Sequence, residues 1–219
     1  MELIIYGGGD FSRLMRRYFE SYSDYKVVSY CLDSEYISSA FIDGVPVVSF
    51  EEVEKYYPPE RCEMFVAVGY SSMRSRVSMY KKAKSKMYKM PNYISSRAVV
   101  ESGVFMGDNN VIFQGVQVEP FVIIGSNNII WSSSVICHDV VVGDHSFIAA
   151  GSTVGGFSFI GNNCFLGFNS TIIQNITVAD ESLVGACSLV TSNTNSFSRN
   201  IGVPAKEVAL HVEEGIKIK

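Results

Sequence analysis

Aliphatic residues recur at every sixth position along more than a third of the chain, and no other phase of six is filled in this way. An all-β sandwich would show period two broken by irregular turns, without a phase kept over so long a stretch. The pattern therefore predicts an internal repeat. The seventeen positions are Ile94, Val100, Met106, Ile112, Val118, Ile124, Ile130, Ile136, Val142, Ile148, Val154, Ile160, Leu166, Ile172, Val178, Val184 and Val190.

A longer period of eighteen lies over the period of six. Gly107, Gly125, Gly143 and Gly161 each follow one of the aliphatics and precede a polar triplet. We interpret eighteen residues as one coil of a three-sided solenoid, with one inward aliphatic per side. The glycine is expected to permit a positive φ at a corner, and the asparagines that follow suit the same turn. Small residues stand two positions before the aliphatic, at Ser134, Ser146, Ser152, Ser158, Cys164, Ser170, Ser182 and Ser188.

The repeat spans roughly five coils, which at about 4.8 Å per coil form a prism roughly 25 Å tall. The small residues are expected to fit the narrow interior near each corner. We therefore predict an all-β parallel β-helix domain with a C-terminal tail over residues 93–219.

The residues before the repeat alternate between strand and helix patterns. Glu2–Tyr6, Val27–Leu32 and Met64–Val68 are apolar strands, while Phe11–Tyr22 and Ser71–Tyr80 have helical spacing. Strands that alternate with helices indicate a parallel sheet. The prediction is an α/β N-terminal domain over residues 1–92, built on a small Rossmann-like parallel sheet.

Glycines between the first strand and the first helix suggest a phosphate-binding turn. Gly7, Gly8 and Gly9 stand there, Asp33 ends the second strand and Gly69 follows the third. Free N–H groups at such a turn bind phosphate, and an acid after the second strand accepts hydrogen bonds from a ribose. A tight turn with no ligand fits the spacing equally well. The turn lacks the full dinucleotide fingerprint, and the domain is too short for the two halves that NAD needs.

Composition excludes several classes of protein. Hydrophobic residues make up 47% of the chain, so we expect it to fold, and a net charge of −4 offers no basic field for nucleic acid. No apolar run is long enough to cross a bilayer, and the N-terminus does not resemble a signal peptide. Five scattered cysteines without a CxxC pair predict a reduced, cytoplasmic protein with no metal site.

The candidate chemistry centres on His138. This residue lies two positions after Ile136, so it should sit on a corner and point outward. Gly156 follows eighteen residues later and should stack beside it, leaving room for a ligand and an exposed backbone N–H. A neutral imidazole suits a general base near pH 7, although a plain surface histidine fits the position as well. Another column becomes smaller along the coil, from bulky to bare, as a groove for a slender ligand would require: Phe113, Trp131, Ala149, Gly167, Gly185.

The repeated [LIV]-G-x-x-[small]-x run resembles the left-handed β-helix acyltransferases. Together with the N-terminal glycine unit, it makes nearly the whole chain similar to the NeuD/PglD-like sugar O-/N-acetyltransferase family. The resemblance implies a left-handed coil, a homotrimer, acetyl-CoA as co-substrate and a nucleotide-linked amino sugar as acceptor. It also implies a role in surface polysaccharide synthesis, such as that of lipopolysaccharide or O-antigen, or in protein glycosylation.

The resemblance also implies a set of site residues. His138 would act as general base and Asp139 would orient it. The residues implied for acetyl-CoA are Gly156, Gly167, Phe168, Ala186 and Lys206. Those implied for the nucleotide sugar are Gly8, Gly9, Asp10, Asp33, Gly69 and Trp131.

The chain departs from the family pattern at four places, one of which is the opening of the first helix, where Gly9-Asp10-Phe11 stands in place of the usual GHG or a similar run. Phe147 stands where many members have a second histidine, Trp131 replaces an asparagine that contacts the sugar in close relatives, and no basic residue follows Asp33. The leading hypothesis is N-acetylation of a UDP- or dTDP-linked amino-deoxysugar, with O-acetylation of a sialic-acid-type sugar as the alternative on the same fold. Two further hypotheses are a zinc hydratase of the γ-carbonic anhydrase type, disfavoured by the histidine spacing, and a non-catalytic scaffold.

Overall fold

A computed structural model describes residues 1–218. The chain forms two compact units. The first consists of Met1–Gly69 and Ser75–Pro91, and the second joins Tyr70–Arg74 to the chain from Asn92 onward.

The first unit is built on a five-stranded sheet. Its strands are β1 (Glu2–Tyr6), β2 (Lys26–Leu32), β3 (Phe41–Ile42), β4 (Val45–Ser49) and β5 (Cys62–Val66). Their order is β3-β4-β2-β1-β5, and all neighbours are parallel except the β3-β4 hairpin. The helices are α1 (Asp10–Tyr22), α2 (Val53–Tyr56) and α3 (Met73–Ser85), with a 3₁₀ turn at Ser34–Tyr36.

The sheet buries both of its faces, as a parallel sheet must when helices cover each side. Helix α1 is amphipathic and places Met15 and Phe19 inward, with the Phe19 ring centroid 5.0 Å from that of Phe65 in β5. On the opposite face, Ile4 and Met64 pack in one cluster with residues that include Val53 of α2 and Ala83 of α3.

The second unit is the predicted solenoid. Within residues 1–218 it has seventeen two-residue strands, β6–β22, which pair in parallel with the strands eighteen residues away. The first face holds Tyr93–Ile94, Val111–Ile112, Ile129–Ile130, Phe147–Ile148, Phe165–Leu166 and Leu183–Val184. The second face holds Val99–Val100, Gln117–Val118, Val135–Ile136, Thr153–Val154, Thr171–Ile172 and Leu189–Val190. The third face holds Phe105–Met106, Ile123–Ile124, Val141–Val142, Phe159–Ile160 and Thr177–Val178.

The every-sixth aliphatics line the axis of this solenoid. From Ile112 to Val190 none of them is more than 2% exposed, and they form one continuous cluster. The eight small residues two positions earlier are also buried, each at most 1% exposed. The first coil departs from the prediction: Ile94 is 45% exposed, and Val100 and Met106 are only partly buried, because this coil has a neighbouring coil on one side only.

The corner glycines are required for a different reason from the one predicted. Gly107 and Gly125 do not adopt a positive φ. A Cβ on Gly125 would lie 2.3 Å from Asp144 Oδ1, which accepts a hydrogen bond from the Ser126 N–H at 2.6 Å. The glycine therefore makes room for a side chain of the next coil. The positive φ falls two residues later, for example at Asn127.

A ladder of hydrogen-bonded side chains, buried from its second member onward, runs inside the solenoid near one corner. We call it the internal ladder, and its members are Asn92, Asn110, Asn128, Ser146 and Cys164. Each side-chain oxygen accepts from the backbone N–H of the next member, at distances of 2.7, 2.8, 2.7 and 2.9 Å. The three amides also donate to the backbone carbonyls of corner glycines. The ladder thus satisfies polar backbone groups that the narrow core would otherwise leave unpaired.

A hairpin follows the solenoid. Strand β23 (Ser198–Gly202) pairs in parallel with the last strand of the first face, and β24 (Ala205–Leu210) pairs antiparallel with β23. No helix in residues 1–218 is both long and apolar enough to span a membrane.

Candidate functional site

His138 lies on the corner that follows the second face, two residues after the inward Ile136. Its side chain is 49% exposed, and its Nδ1 lies 3.0 Å from Asp139 Oδ2. An ionised carboxylate can only accept, so this bond assigns the ring proton to Nδ1 and leaves the Nε2 lone pair of the neutral imidazole free. The His138 backbone N–H donates to Glu119 Oε2 at 2.8 Å, which holds the main chain of the corner.

Gly156 lies directly beside the imidazole, as the period of eighteen predicts. A Cβ at this position would stand 2.8 Å from His138 Cε1 and 3.0 Å from Nε2. Its φ is not positive, so the imidazole itself is what requires glycine here. Among residues 1–218, no acceptor is bonded to the Gly156 N–H. Gly156 is buried and the imidazole fills the space beside it, so the open room for a ligand that was predicted at this glycine is not found in the single chain. Its N–H is a donor without an acceptor next to the ring nitrogen that carries the lone pair.

A third side chain contacts the same imidazole. Phe157 occupies the corner position one coil after Asp139, and both residues have a left-handed backbone with φ of 60° and 58°. The ring centroids of Phe157 and His138 are 5.0 Å apart, and the planes cross at 83°. His138 is thus contacted by Asp139, Gly156 and Phe157 together.

The other residues implied for acetyl-CoA lie on a different corner of this chain. Gly167, Phe168 and Ala186 follow strands of the first face, whereas His138 and Gly156 follow strands of the second. A Cβ on Gly167 would lie 2.5 Å from the backbone nitrogen of Ala186, so close packing of the next coil fills this space. Phe168 is 54% exposed. One chain therefore presents two separate clusters.

The column in which side chains were predicted to become smaller along the coil begins with two aromatic residues, Phe113 and Trp131. Trp131 stacks on Phe113 with centroids 4.2 Å apart. Its Nε1 is buried and has no hydrogen-bond partner in the described part of the chain. Phe147 points outward from the first face and is covered there by the Tyr70 ring, 4.9 Å away. It therefore packs within the second unit on a different side of the solenoid from His138.

The remaining two histidines take part in structural contacts. His145 Nδ1 lies 3.0 Å from Asn127 Nδ2 on the corner that follows the third face. His211 Nε2 lies 2.7 Å from the backbone oxygen of Glu181. Lys206 is exposed on β24. Across residues 1–218, no three His, Cys, Asp or Glu side chains converge in the way a metal site requires.

In the first unit, the glycine turn follows β1 and precedes α1. Gly7 has φ of 138°, and a Cβ on it would lie 2.5 Å from the Ala67 oxygen, so the loops after β1 and β5 can approach closely only with glycine. The sheet order reverses between these two strands, which is where open α/β sheets bind ligands. Gly8, Gly9 and Gly69 belong to the same two loops. Asp10, fully exposed in the first turn of α1, opposes a phosphate at this helix end.

Asp33 forms two strong contacts at the end of β2. It accepts hydrogen bonds from the Tyr6 hydroxyl and from Lys82 Nζ, the latter at 2.6 Å. Burial raises the pKa of Asp33, but the bonds from Lys82 and Tyr6 outweigh burial and lower the pKa below its ordinary value. Burial together with the hydrogen bond to Asp33 raises the pKa of Tyr6. No basic residue follows Asp33 in the sequence, but Lys82 of α3 places a cation beside it in the folded unit.

Sequence reasoning missed Glu119, Phe157 and Lys82. Glu119 and Phe157 lie nineteen residues before and after His138. A search one coil away that also allowed a diagonal step of one residue would have found both. Lys82 is 49 residues from Asp33, and no periodicity links the two positions.

Comparison with known families divides the chain as its structure does. Residues 2–81 match the PglD N-terminal domain. Residues 121–156 match the bacterial transferase hexapeptide (six repeats), and residues 159–192 match the hexapeptide repeat of succinyl-transferase. No curated protein sequence matches the chain significantly.

Solved structures resemble the chain over nearly its full length. PerB from Caulobacter crescentus, in complex with CoA and GDP-perosamine, is 25% identical, with a TM-score of 0.84 and coverage of 95% of this chain and 98% of PerB. The acetyltransferase domain of PglB from Neisseria gonorrhoeae, in complex with acetyl coenzyme A, is 20% identical, with a TM-score of 0.84 and coverage of 94% and 98%. WeeI from Acinetobacter baumannii is 19% identical, with a TM-score of 0.79 and coverage of 95% and 100%.

These comparisons confirm the predicted fold, a small α/β parallel-sheet domain followed by a left-handed β-helix. The N-terminal match and the repeat matches fall on the two predicted parts of the chain, in the predicted order. The chain thus combines a PglD N-terminal domain with bacterial-transferase hexapeptide repeats, the two-part arrangement that its resemblance to the NeuD/PglD-like sugar acetyltransferases predicts.

Proposed function

We propose that this enzyme transfers the acetyl group of acetyl-CoA to the amino group of a nucleotide-linked amino-deoxysugar, with His138 as general base. This proposal rests on the placement of His138 Nε2 beside the Gly156 N–H, which has no acceptor, and of Asp139 on the opposite ring nitrogen. Complexes of PglB with acetyl coenzyme A and of PerB with CoA and GDP-perosamine support both substrates.

The proposed reaction is a direct attack without a covalent enzyme intermediate. The sugar amine attacks the thioester carbonyl carbon as its proton passes to His138 Nε2. The oxygen gains negative charge and accepts a hydrogen bond from the Gly156 N–H. When the C–S bond breaks, the CoA thiolate takes the proton from the imidazolium. A positioned base of this kind contributes about 10²–10⁴ in rate.

Asp139 supports the base by fixing its tautomer. Its bond to Nδ1 keeps the lone pair on Nε2 and stabilises the imidazolium that forms during attack. Its left-handed backbone turns the carboxylate back toward the preceding residue. Asp139 is therefore a positioning residue in the proposed mechanism.

We propose a homotrimer in which two copies complete each acetyl-CoA site. His138 and Gly156 lie on one corner of the solenoid, while Gly167, Phe168 and Ala186 lie on another. A second chain placed against the first brings one corner beside the other, with Lys206 near the nucleotide end of CoA. This arrangement gives all five residues implied for acetyl-CoA a role.

For the nucleotide sugar we propose the edge of the first unit where the loops after β1 and β5 meet. Gly8, Gly9 and Gly69 lie in these loops, with Asp33 at the end of the neighbouring strand. UDP and dTDP remain the proposed nucleotides, and the PerB complex adds GDP as a candidate. Trp131 replaces the family asparagine with an aromatic surface that suits an apolar face of a deoxysugar. We place the enzyme in cytoplasmic synthesis of surface polysaccharide.

The experiment is a panel assay of CoA release. UDP-, dTDP- and GDP-linked 3-amino and 4-amino deoxysugars are tested with acetyl-CoA, alongside sialic acid. Turnover with an amino sugar is expected. Turnover with a sugar hydroxyl alone would replace the proposal by O-acetylation, and no turnover with any acceptor would favour a scaffold.

The same assay tests the base. His138→Ala is expected to lower kcat by about 10²–10⁴. His145→Asn is the matched control, because the equivalent corners one coil away carry Asn127 and Asn163 in the same left-handed conformation. If His138→Ala is as active as the His145→Asn control and the wild type, His138 is not the general base.

A further inference from the structure

Phe157 occupies a backbone conformation that suits its residue type poorly. Its φ is 60°, in the left-handed region where a bulky side chain crowds the backbone. The equivalent corner one coil later carries Asn175 with φ of 61°, a residue that tolerates this conformation. Phe157 is also 59% exposed, so burial of its ring does little to offset the strain. The fold alone does not call for phenylalanine here.

The contact that Phe157 makes is with the imidazole of His138. The two rings meet edge to face, at a centroid distance of 5.0 Å and an angle of 83°. The Phe157 N–H also donates to the His138 backbone oxygen at 3.2 Å, which fixes the spacing of the two coils at this point. The left-handed turn thus directs the aromatic ring at its neighbour one coil away. Strain at a position that contacts a functional group is a pattern typical of active sites.

We propose that Phe157 is a positioning residue that sets the orientation of the His138 imidazole, an inference that rests on the proposed function of His138. Asp139 holds Nδ1, Gly156 lies against Cε1 and Nε2, and Phe157 packs against the ring. The His138 side chain is 49% exposed. Contacts with Asp139 and Gly156 alone would therefore leave its ring free to rotate about the hydrogen bond to Asp139. The third contact stops this motion and keeps Nε2 beside the Gly156 N–H. Orientation errors of this kind lower the rate of attack rather than substrate affinity.

The test is Phe157→Asn, which relieves the strain and removes the ring. We expect kcat to fall by about 10–100-fold with KM for acetyl-CoA within about twofold, since misorientation of about 1 Å costs up to about 10² in rate. We also expect Tm to rise by about 2–4 °C, because the left-handed corner becomes unstrained. Phe157→Tyr keeps the ring and is expected to retain most of the activity.

Phe121 provides the matched control. It lies on the same corner of the solenoid one coil before Asp139, with φ of 66° and 69% exposure. Phe121→Asn should raise Tm in the same way and leave kcat unchanged. If it lowers kcat as much as Phe157→Asn, the contact with His138 is not the cause and the proposal is overturned. A fall in Tm for Phe157→Asn would likewise contradict a strained positioning role.

A readout without turnover separates this inference from the proposed function. The chain has 3 histidines, so the imidazole proton signals of His138 can be assigned with His138→Ala. Phe157→Asn should change the chemical shifts of the His138 ring protons through loss of the aromatic ring current, and Phe121→Asn should not. Unchanged shifts would overturn the inference. If the shifts change but wild-type protein transfers no acetyl group to any acceptor, the contact stands and the proposed function fails.

Discussion

At the residue scale, two adjacent glycines differ in what surrounds them. A Cβ on Gly155 would meet backbone atoms of the next coil, 2.5 Å from Gln174 N and 2.8 Å from Ile173 C. A Cβ on Gly156 would meet the His138 imidazole instead. Backbone in a solenoid moves little, whereas an exposed side chain can turn away. One glycine therefore maintains the spacing of the coils and the other maintains the position of the base.

This contrast predicts separate effects of two equal substitutions. Gly156→Ala should keep the fold, with Tm within about 2 °C, and lower kcat by about 10²-fold because the new methyl group displaces the imidazole. Gly155→Ala should lower Tm by at least about 4 °C through steric strain between coils. Thermal unfolding and steady-state kinetics on both proteins check this. Equal losses of Tm would show that position 156 is also structural.

At the element scale, the internal ladder links successive coils through buried hydrogen bonds. Asn128 accepts from the Ser146 N–H at 2.7 Å and donates to the Gly143 oxygen at 2.8 Å. Ser146 performs both tasks in the next coil with one hydroxyl, at 2.9 Å from the Cys164 nitrogen and 3.0 Å from the Gly161 oxygen. Serine can therefore replace asparagine in the ladder, but a residue without a polar side chain cannot.

Substitution of Asn128 tests this equivalence. Asn128→Ala leaves a buried N–H and a buried carbonyl unpaired, each costing about 1–3 kcal/mol, so unfolding free energy should fall by about 2–6 kcal/mol. Asn128→Ser should cost less than half as much. Chemical denaturation measures both variants. Equal destabilisation would mean that the volume of the amide, not its hydrogen bonds, is what the core needs.

The contacts of Asp33 predict how the first unit responds to acid. Hydrogen bonds from Lys82 and Tyr6 keep the pKa of Asp33 below its ordinary 3.8 despite the opposing effect of burial. A lowered carboxyl pKa means that the stabilisation is complete above the ordinary pKa and is lost as pH falls through the lower folded value. Asp33→Asn should therefore be less stable than wild type at pH 6, with the difference shrinking below pH 4. Thermal unfolding from pH 6 to pH 2.5 checks this, and a constant difference would contradict it.

The elements were predictable to different degrees. The period of six located the strands of the solenoid because every coil repeats the same steric demand. Asn110 and Asn128 escaped notice because asparagine usually signals a turn, and only the stacked coils bury it. The short β3-β4 hairpin was also missed, since Phe41–Ile42 is too brief to show a period. His138 and Gly156 were found by arithmetic, whereas contacts such as Lys82 with Asp33 depend on tertiary folding.

At the scale of the whole molecule, one face of the solenoid is unusually apolar. Phe105, Ile123 and Phe159 point outward from the third face and are 72%, 47% and 42% exposed in the single chain. Contiguous apolar surface of this kind commonly marks an interface. In the proposed homotrimer, this apolar face would pack against another copy of the chain.

The trimer is expected to have a mass of about 73 kDa by light scattering, three times the 24.2 kDa chain. Ile123→Glu should shift the mass toward that of one chain, because the proposed interface would bury an unpaired charge. It should also abolish acetyl transfer, since the two acetyl-CoA clusters would no longer meet. A wild-type mass of about 24 kDa, or a fully active monomeric variant, would contradict the assembly.

The solenoid obeys two counting rules at once. Its interior accepts any aliphatic at a multiple of six, but Gly156 meets His138 only because eighteen residues separate them. Excision of one side between these residues would return an aliphatic to every inward position and yet carry Gly156 to another corner. Natural insertions and deletions in this stretch should therefore have the length of a whole coil, which is eighteen residues. A variant that lacks one side of a coil is expected to fold well and to have no activity.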